Sequence, residues 1–240
     1  MNKTIRLSDG MLLPYKLQYK TVKNINLRIR KDSTVTVSAP RRVSEKYLER
    51  FLLEKEPFIR RALARLSAVK PQEKPVLADG SIVYLLGEPY KARVFCGTRN
   101  AVSLEGKTLL VQIQAPVTEE RTQKVFEAFV KREFSEVIER VCRGVYPPFA
   151  ACGVDFPVIK TRRMVSRWGS CNHVKGILCF NTQLYRCPVR TIEYVAVHEF
   201  THFLVHDHSP AFYAQMQRFL ADWKERKQEL HAFSQAHVLL

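Results

Sequence analysis

No stretch of these 240 residues is long and apolar enough to cross a bilayer. The opening segment, MNKTIRLSDGMLLPYK, lacks the apolar centre of a secretory signal. None of the six cysteines (Cys96, Cys142, Cys152, Cys171, Cys179 and Cys187) stands in a C-x-x-C pair, which argues against a zinc-finger or thioredoxin-type site. These absences lead to the expectation of a cytoplasmic protein with reduced, mostly buried thiols and no membrane partner. No internal repeat or low-complexity tract is visible. Acidic residues are also scarce, 23 against 39 basic ones, for a formal charge of +16. Such an excess favours polyanions, nucleic acid or nucleotides among them, without choosing one.

What is present suits a globular chain. Hydrophobic residues make up 46%, enough at this length for a sizeable core in one large or two small domains. Alternation in INLRIR (Ile25, Leu27, Ile29) and TVTVSAP (Val35, Val37) predicts strands. Ser44 stands where an N-cap would open a helix running to about Lys70, interrupted near Pro57. The polar KPQEKP (70–75) reads as a linker or loop. SIVYLLG, YKARVF and TLLVQIQ are further strand candidates. From Thr118 to about Val145 the apolar period becomes helical, and helices follow over about 189–205 and from Ser209–Pro210. The expected fold is α+β: a β-rich region 1–115 with a helical segment at about 44–70, then a mostly helical half, 116–240, carrying a small sheet at a cleft edge.

Four of the seven histidines fall within HEFTHFLVHDHS, residues 198–209. His198 and His202 are four apart, so on a helix they share one face about 6 Å apart in rise. Two imidazoles so placed can meet one ion at Zn–N distances of about 2.0–2.1 Å. Glu199 is turned about 100° from His198, beside such an ion, where its carboxylate can take a proton from water. Ile192, Ala196, Phe200 and Phe203 occupy the opposite face and would anchor the helix. A catalytic zinc takes three protein ligands and keeps a position open. On a continued helix His206 would lie about 12 Å beyond His198. A turn before Ser209–Pro210 can instead swing His208 back, so the spacing favours His208 and leaves His206 beside the ion or with substrate. The alternative is a group of structural histidines satisfied by hydrogen bonds.

RRMVSRWGSCN, GILCFNTQL and TIEYVAVHEFTHFLVHDHSPAFY resemble the YgjP-like metallopeptidase family and, more distantly, the SprT and WLM metalloproteases. The pattern falls on Arg167, Trp168, Gly169, Ser170 and Cys171, then Phe180, Asn181 and Leu184, then His198, Glu199, His202, His208, Ser209, Phe212 and Tyr213. Asp207 and Phe180 depart from it, where the family commonly has asparagine and leucine. The resemblance implies a zincin-like domain over 116–240, Zn2+ held by His198, His202 and His208, and Glu199 as general base and acid. It implies also that GILCFN borders the cleft and offers its edge to an extended peptide or protein substrate. Trp168 and Cys171 are candidates to buttress the site; Arg167, His206 and Tyr213 are candidates to stabilise an oxyanion.

A zinc metallopeptidase is the first functional expectation. The same activated water could attack phosphorus, which makes a nucleoside triphosphate pyrophosphohydrolase the second. The third is a nucleic-acid-binding module with a structural metal, drawing on Arg28–Lys31, Arg41–Arg42, Arg60–Arg65 and Lys160–Arg167.

Overall fold

The computed structural model describes residues 1–30, 32–68 and 77–237. The chain divides into two compact units, Met1–Glu73 and Lys74–Leu240. Lys31 and the linker expected at 70–75 lie outside the described residues.

In the first unit four strands, β1 (Asn2–Arg6), β2 (Leu12–Tyr19), β3 (Asn26–Ile29) and β4 (Val35–Ala39), form a sheet of order β1-β2-β4-β3. The outer pairs are antiparallel and β2 runs parallel to β4. Alternation sends Ile5, Leu13, Tyr15, Leu17, Val35 and Val37 to one face. There they share a core with Leu48 and Leu52 of α1 (Glu45–Glu54) and Ile59 of α2 (Glu56–Ala68). Ser44 caps α1 as expected, its hydroxyl oxygen accepting the Tyr47 N–H at 3.3 Å. Pro57 falls in the first turn of α2, where no intrahelical partner for its missing N–H is needed, so a new helix starts there.

The second unit begins with the same topology. Strands β5 (Ile82–Leu85), β6 (Glu88–Gly97), β7 (Ala101–Glu105) and β8 (Thr108–Gln114) take the order β5-β6-β8-β7, with β6 parallel to β8 and the outer pairs antiparallel. The chain therefore repeats a fold pattern that is not visible as a sequence repeat, because it preserves alternation and order rather than residue identity. Thr118 then caps α3 (Glu119–Val145), accepting the Arg121 N–H at 3.3 Å, and α4 (Pro147–Ala150) follows. Leu109, Val111 and Ile113 of β8 enter one core with Phe126, Phe129, Phe134 and Ile138 of α3. This shared core is why the chain does not divide at 115/116 as expected from the change of period. The division falls at 73/74.

A three-stranded sheet comes next: β9 (Val158–Arg162), β10 (Gly169–Asn172) and β11 (Ile177–Asn181), in the order β10-β11-β9. β11, the GILCFN strand expected to border the cleft, is thus the central strand and has both edges paired. The sheet's edges belong to β9 and β10, and residues of β10 line the cleft. A 3-10 turn over Thr182–Arg186 leads to α5 (Val189–Thr201), then α6 (Pro210–Phe219) and α7 (Trp223–Ala236). The β5–β6 turn holds this connection: Leu86 and Gly87, at φ 53° and 86°, donate their N–H groups to the Tyr185 and Arg186 carbonyls. A Cβ on Gly87 would stand 2.9 Å from the Pro188 ring.

Among the described residues no helix is long and apolar enough to cross a membrane. All six cysteines are free; Cys142 and Cys187 are buried, but Cys96 and Cys152 are exposed, against the expectation of burial.

Candidate metal centre and active site

α5 is buried almost all round, which fixes the groups it carries. Ile192, Ala196 and Phe200 are fully covered, and Phe200 stacks on Phe149 at 5.1 Å between ring centres. The helix ends at Thr201 rather than near 205, because the Phe203, Leu204 and Val205 N–H groups turn back onto the Phe200 and Thr201 carbonyls. His202 keeps helical backbone angles (φ −66°, ψ −13°), so its four-residue relation to His198 survives. The chain then folds back through Asp207, whose carboxylate accepts the Ser209 N–H at 3.3 Å, and His208 returns over the helix end.

Three imidazoles converge there. The ligand nitrogens of His198, His202 and His208 all lie within 4.8 Å of one another, and Nε2 of His198 is 3.0 Å from Nε2 of His208. Two ligands about 2.1 Å from one tetrahedral ion stand about 3.4 Å apart, so this set is close to the spacing an ion requires. Nδ1 of His202 faces the Val205 carbonyl oxygen at 3.2 Å. That nitrogen must carry the proton to donate, which leaves the Nε2 lone pair for a metal. Burial, with His202 and His208 adding to it, pushes the His198 pKa down to about 3, and burial lowers that of His202. Both rings are therefore held in the neutral form that ligates. Phe212, fully buried, lies 4.7–4.9 Å from all three rings and forms a common apolar floor.

Glu199 is only 5% exposed, and burial raises its pKa to about 8 against the opposing Arg167 charge. Space for its carboxyl comes from Gly169. A Cβ there would stand 2.5 Å from Oε1 and 2.8 Å from Cδ. Gly169 is a strand position in β10, and what matters is the missing side chain.

These groups face a cleft of about 640 Å³ between α5 and the segment 166–171. Arg167, Trp168, Cys171 and His206 line it; Tyr213 does not, and stacks on Trp223 at 5.2 Å instead. His206 stays outside the metal set, donating Nδ1–H to the His202 carbonyl at 2.9 Å and stacking on His173 at 3.7 Å. Burial and the Glu199 charge push the Cys171 thiol up to about 12, so it stays protonated at neutral pH.

Three contributions escaped the sequence reading. Tyr194 lines the cleft, its phenol pushed up to about 12 by burial and so kept a donor; it stands four residues before His198, a signal the helix period could have supplied. Asn181, fully buried, clamps the segment over the site. Its amide donates to the Met164 and Arg167 carbonyls, each at 2.9 Å, and accepts the Met164 and Gln183 N–H groups at 3.2 Å. The third is the β10 edge. The Asn181 N–H donates to the Trp168 carbonyl, so antiparallel alternation turns the Ser170 backbone groups toward β11 and those of Gly169 and Cys171 toward the open side.

Two solved structures are similar over part of the chain. One is the metallopeptidase zymogen abylysin of Pyrococcus abyssi: 16% identity, TM-score 0.36, covering 41% of this chain and 95% of that one. The other is the metallopeptidase zymogen jannalysin of Methanocaldococcus jannaschii: 14% identity, TM-score 0.33, covering 42% and 93%. No curated protein matches the sequence. The family described as "YgjP-like, metallopeptidase domain" matches residues 23–233, nearly the whole chain, and the protein belongs to that YgjP-like metallopeptidase family.

Proposed function

We propose that the chain is a zinc-dependent peptidase in which His198, His202 and His208 hold Zn2+ and Glu199 moves the proton. The observation that carries this is the convergence of three ligand nitrogens within 4.8 Å on a shared Phe212 floor. An all-imidazole set suits zinc, and three ligands leave a tetrahedral position open. A bound Zn2+ would supply Lewis acidity and bring the pKa of water toward about 7.

The chain's own groups do the rest. The Glu199 carboxyl, its pKa near 8 before any cation is bound, is matched to proton exchange near neutral pH. As carboxylate it takes a proton from the attacking water, and as acid it passes that proton to the leaving amine nitrogen. The outward backbone groups of Gly169 and Cys171 offer an extended substrate a strand to pair with. Arg167 and the Tyr194 phenol are donors in the cleft for the carbonyl oxygen as it gains charge. Among the lining residues Arg167 is the single lysine or arginine, thin provision for a triphosphate, and this favours peptide over pyrophosphate chemistry.

Glu199→Gln tests the assignment. The variant is expected to bind the same metal and to lose about 10²–10⁴-fold in peptide cleavage, the range for general acid–base groups. Wild-type cleavage should stop with chelator and return with zinc. Undiminished turnover by the variant would remove Glu199 from the mechanism, and chelator-sensitive pyrophosphate release without peptide cleavage would replace the peptidase.

A further inference from the structure

The positive charge is unevenly placed. Residues 1–73 hold 17 basic and 7 acidic residues, whereas 74–240 hold 22 and 16. Within the first unit the acidic residues are sorted by side. The sheet face turned away from the core carries Arg6, Lys16 and Arg28, all exposed. Two more cations extend the same alternation: Lys20, whose N–H donates to the Ala39 carbonyl, and Arg30, whose N–H donates to the Thr34 carbonyl. Among the described residues that face has no acidic side chain. Asp9 and Asp32 sit in the turns, Glu45, Glu49 and Glu54 on α1, and Glu56 on α2. Among the described residues none of these five cations makes an ion pair; Lys3, Arg50 and Arg60 take up Glu45, Glu54, Asp9 and Glu56.

The face is also equipped for hydrogen bonding. Register places Lys16, Thr36 and Arg28 side by side across three strands, with Gln18, Ser38 and Asn26 in the next row. Thr36 is 6% exposed, and among the described residues its hydroxyl has no hydrogen-bond partner although it stands between two cations. A buried hydroxyl in that state costs free energy unless something arrives to bond it. No aromatic ring is among these residues, so the face cannot stack unpaired bases. Cations, hydroxyls and amides without aromatics are the groups that contact phosphate and sugar oxygens of a duplex.

We propose that the outer face of the β1–β4 sheet docks the phosphate backbone of a nucleic-acid duplex, with Lys16, Thr36 and Arg28 at its centre. Binding is independent of sequence and strongly salt-dependent, and it is separate from the chemistry at His198, His202 and His208.

The test is binding of the full chain to a fluorescent 20-base-pair duplex between 50 and 200 mM salt, about the range over which phosphate contacts are lost. Wild-type affinity should fall steeply with salt. The Lys16→Gln/Arg28→Gln pair should lower the log–log salt slope by about 2 and weaken binding at least about tenfold at the low-salt end. Thr36→Val, which keeps shape and removes the hydroxyl, should weaken binding severalfold. Lys46→Gln/Lys55→Gln on the helix layer should leave the slope unchanged. Far-UV circular dichroism and peptide cleavage should be the same in all, so that loss of binding is distinct from loss of fold or of peptidase function. No binding at 50 mM salt, an unchanged slope in the sheet-face pair, or an equal loss in the helix pair overturns the proposal. Competition by polyglutamate as effective as by duplex also overturns it, in favour of an acidic protein partner.

Discussion

The two four-stranded sheets have the same order and pairing senses, yet their outer faces carry different side chains. The row Lys16–Thr36–Arg28 on the first corresponds in register to Arg93–Leu110–Ser103 on the second, where Phe95 and Glu105 also appear. The first sheet packs two short helices and leaves a basic face. The second feeds its apolar face into the core that also holds α5. One strand pattern thus serves as a charged surface in one place and as support for the buried histidine-bearing helix in the other. Topology sets where faces lie; side chains and burial decide what each face does.

Acid–base behaviour gives the largest contrast. In the large unit burial raises the Glu199 pKa from 4.5 to about 8, so the folded state holds a proton that the unfolded chain releases. Stability of the metal-free protein is then full below about pH 4.5, declines as pH rises, and is lower by up to about 5 kcal/mol above pH 8. In the small unit Glu56 is held below the usual range, first by the Ser8 hydroxyl at 2.7 Å and then by Arg60. Its contribution has the opposite sign, present above its unfolded pKa and lost as pH falls. Urea unfolding of metal-free wild type and Glu199→Gln should show the stability advantage of the variant growing between pH 4.5 and 8. A pH-independent difference would mean that Glu199 is not buried as a neutral acid.

Glycine sharpens the contrast further. Gly169→Ala pushes a methyl against the Glu199 carboxyl, and if Glu199 moves the proton as proposed, a displacement of about 1 Å should cost about a hundredfold in turnover. The metal should remain bound. Gly10→Ala, in the β1–β2 turn at φ 85° with open space ahead of its Cβ, should cost about 1–2 kcal/mol of stability and leave turnover unchanged. Wild-type turnover in Gly169→Ala would remove the close-approach argument. The smallest effect belongs to Arg93→Gln, the counterpart of Lys16 on the second sheet, which should change duplex affinity less than about twofold in the fluorescence assay.

Much of the site was legible because its determinants are local. His198 and His202 follow from helical spacing, and His208 from the restart at Ser209–Pro210. The strands around Val35 and Leu109 and the helix from Thr118 declared themselves through their periods, and the helix from Ser44 through its cap. What stayed hidden depends on long-range contacts. The role of Gly169 appears only once β10 packs on α5, thirty residues later in sequence. Asn181 is a clamp only because β11 passes under 164–167. The family resemblance implies an edge for the GILCFN strand, but β9 and β10 flank it, and nothing in its own residues records that. The compact units divide at 73/74 for a related reason: a change of period near 115 marks a change of secondary structure, whereas a unit depends on which core the residues join.

Metal analysis of the purified protein tests the central claim most directly. One zinc per chain is expected in wild type and in Glu199→Gln, and none in His198→Ala or His208→Ala of unchanged circular dichroism. Wild-type protein that takes up no divalent metal, or zinc retained in full by the histidine variants, would contradict it.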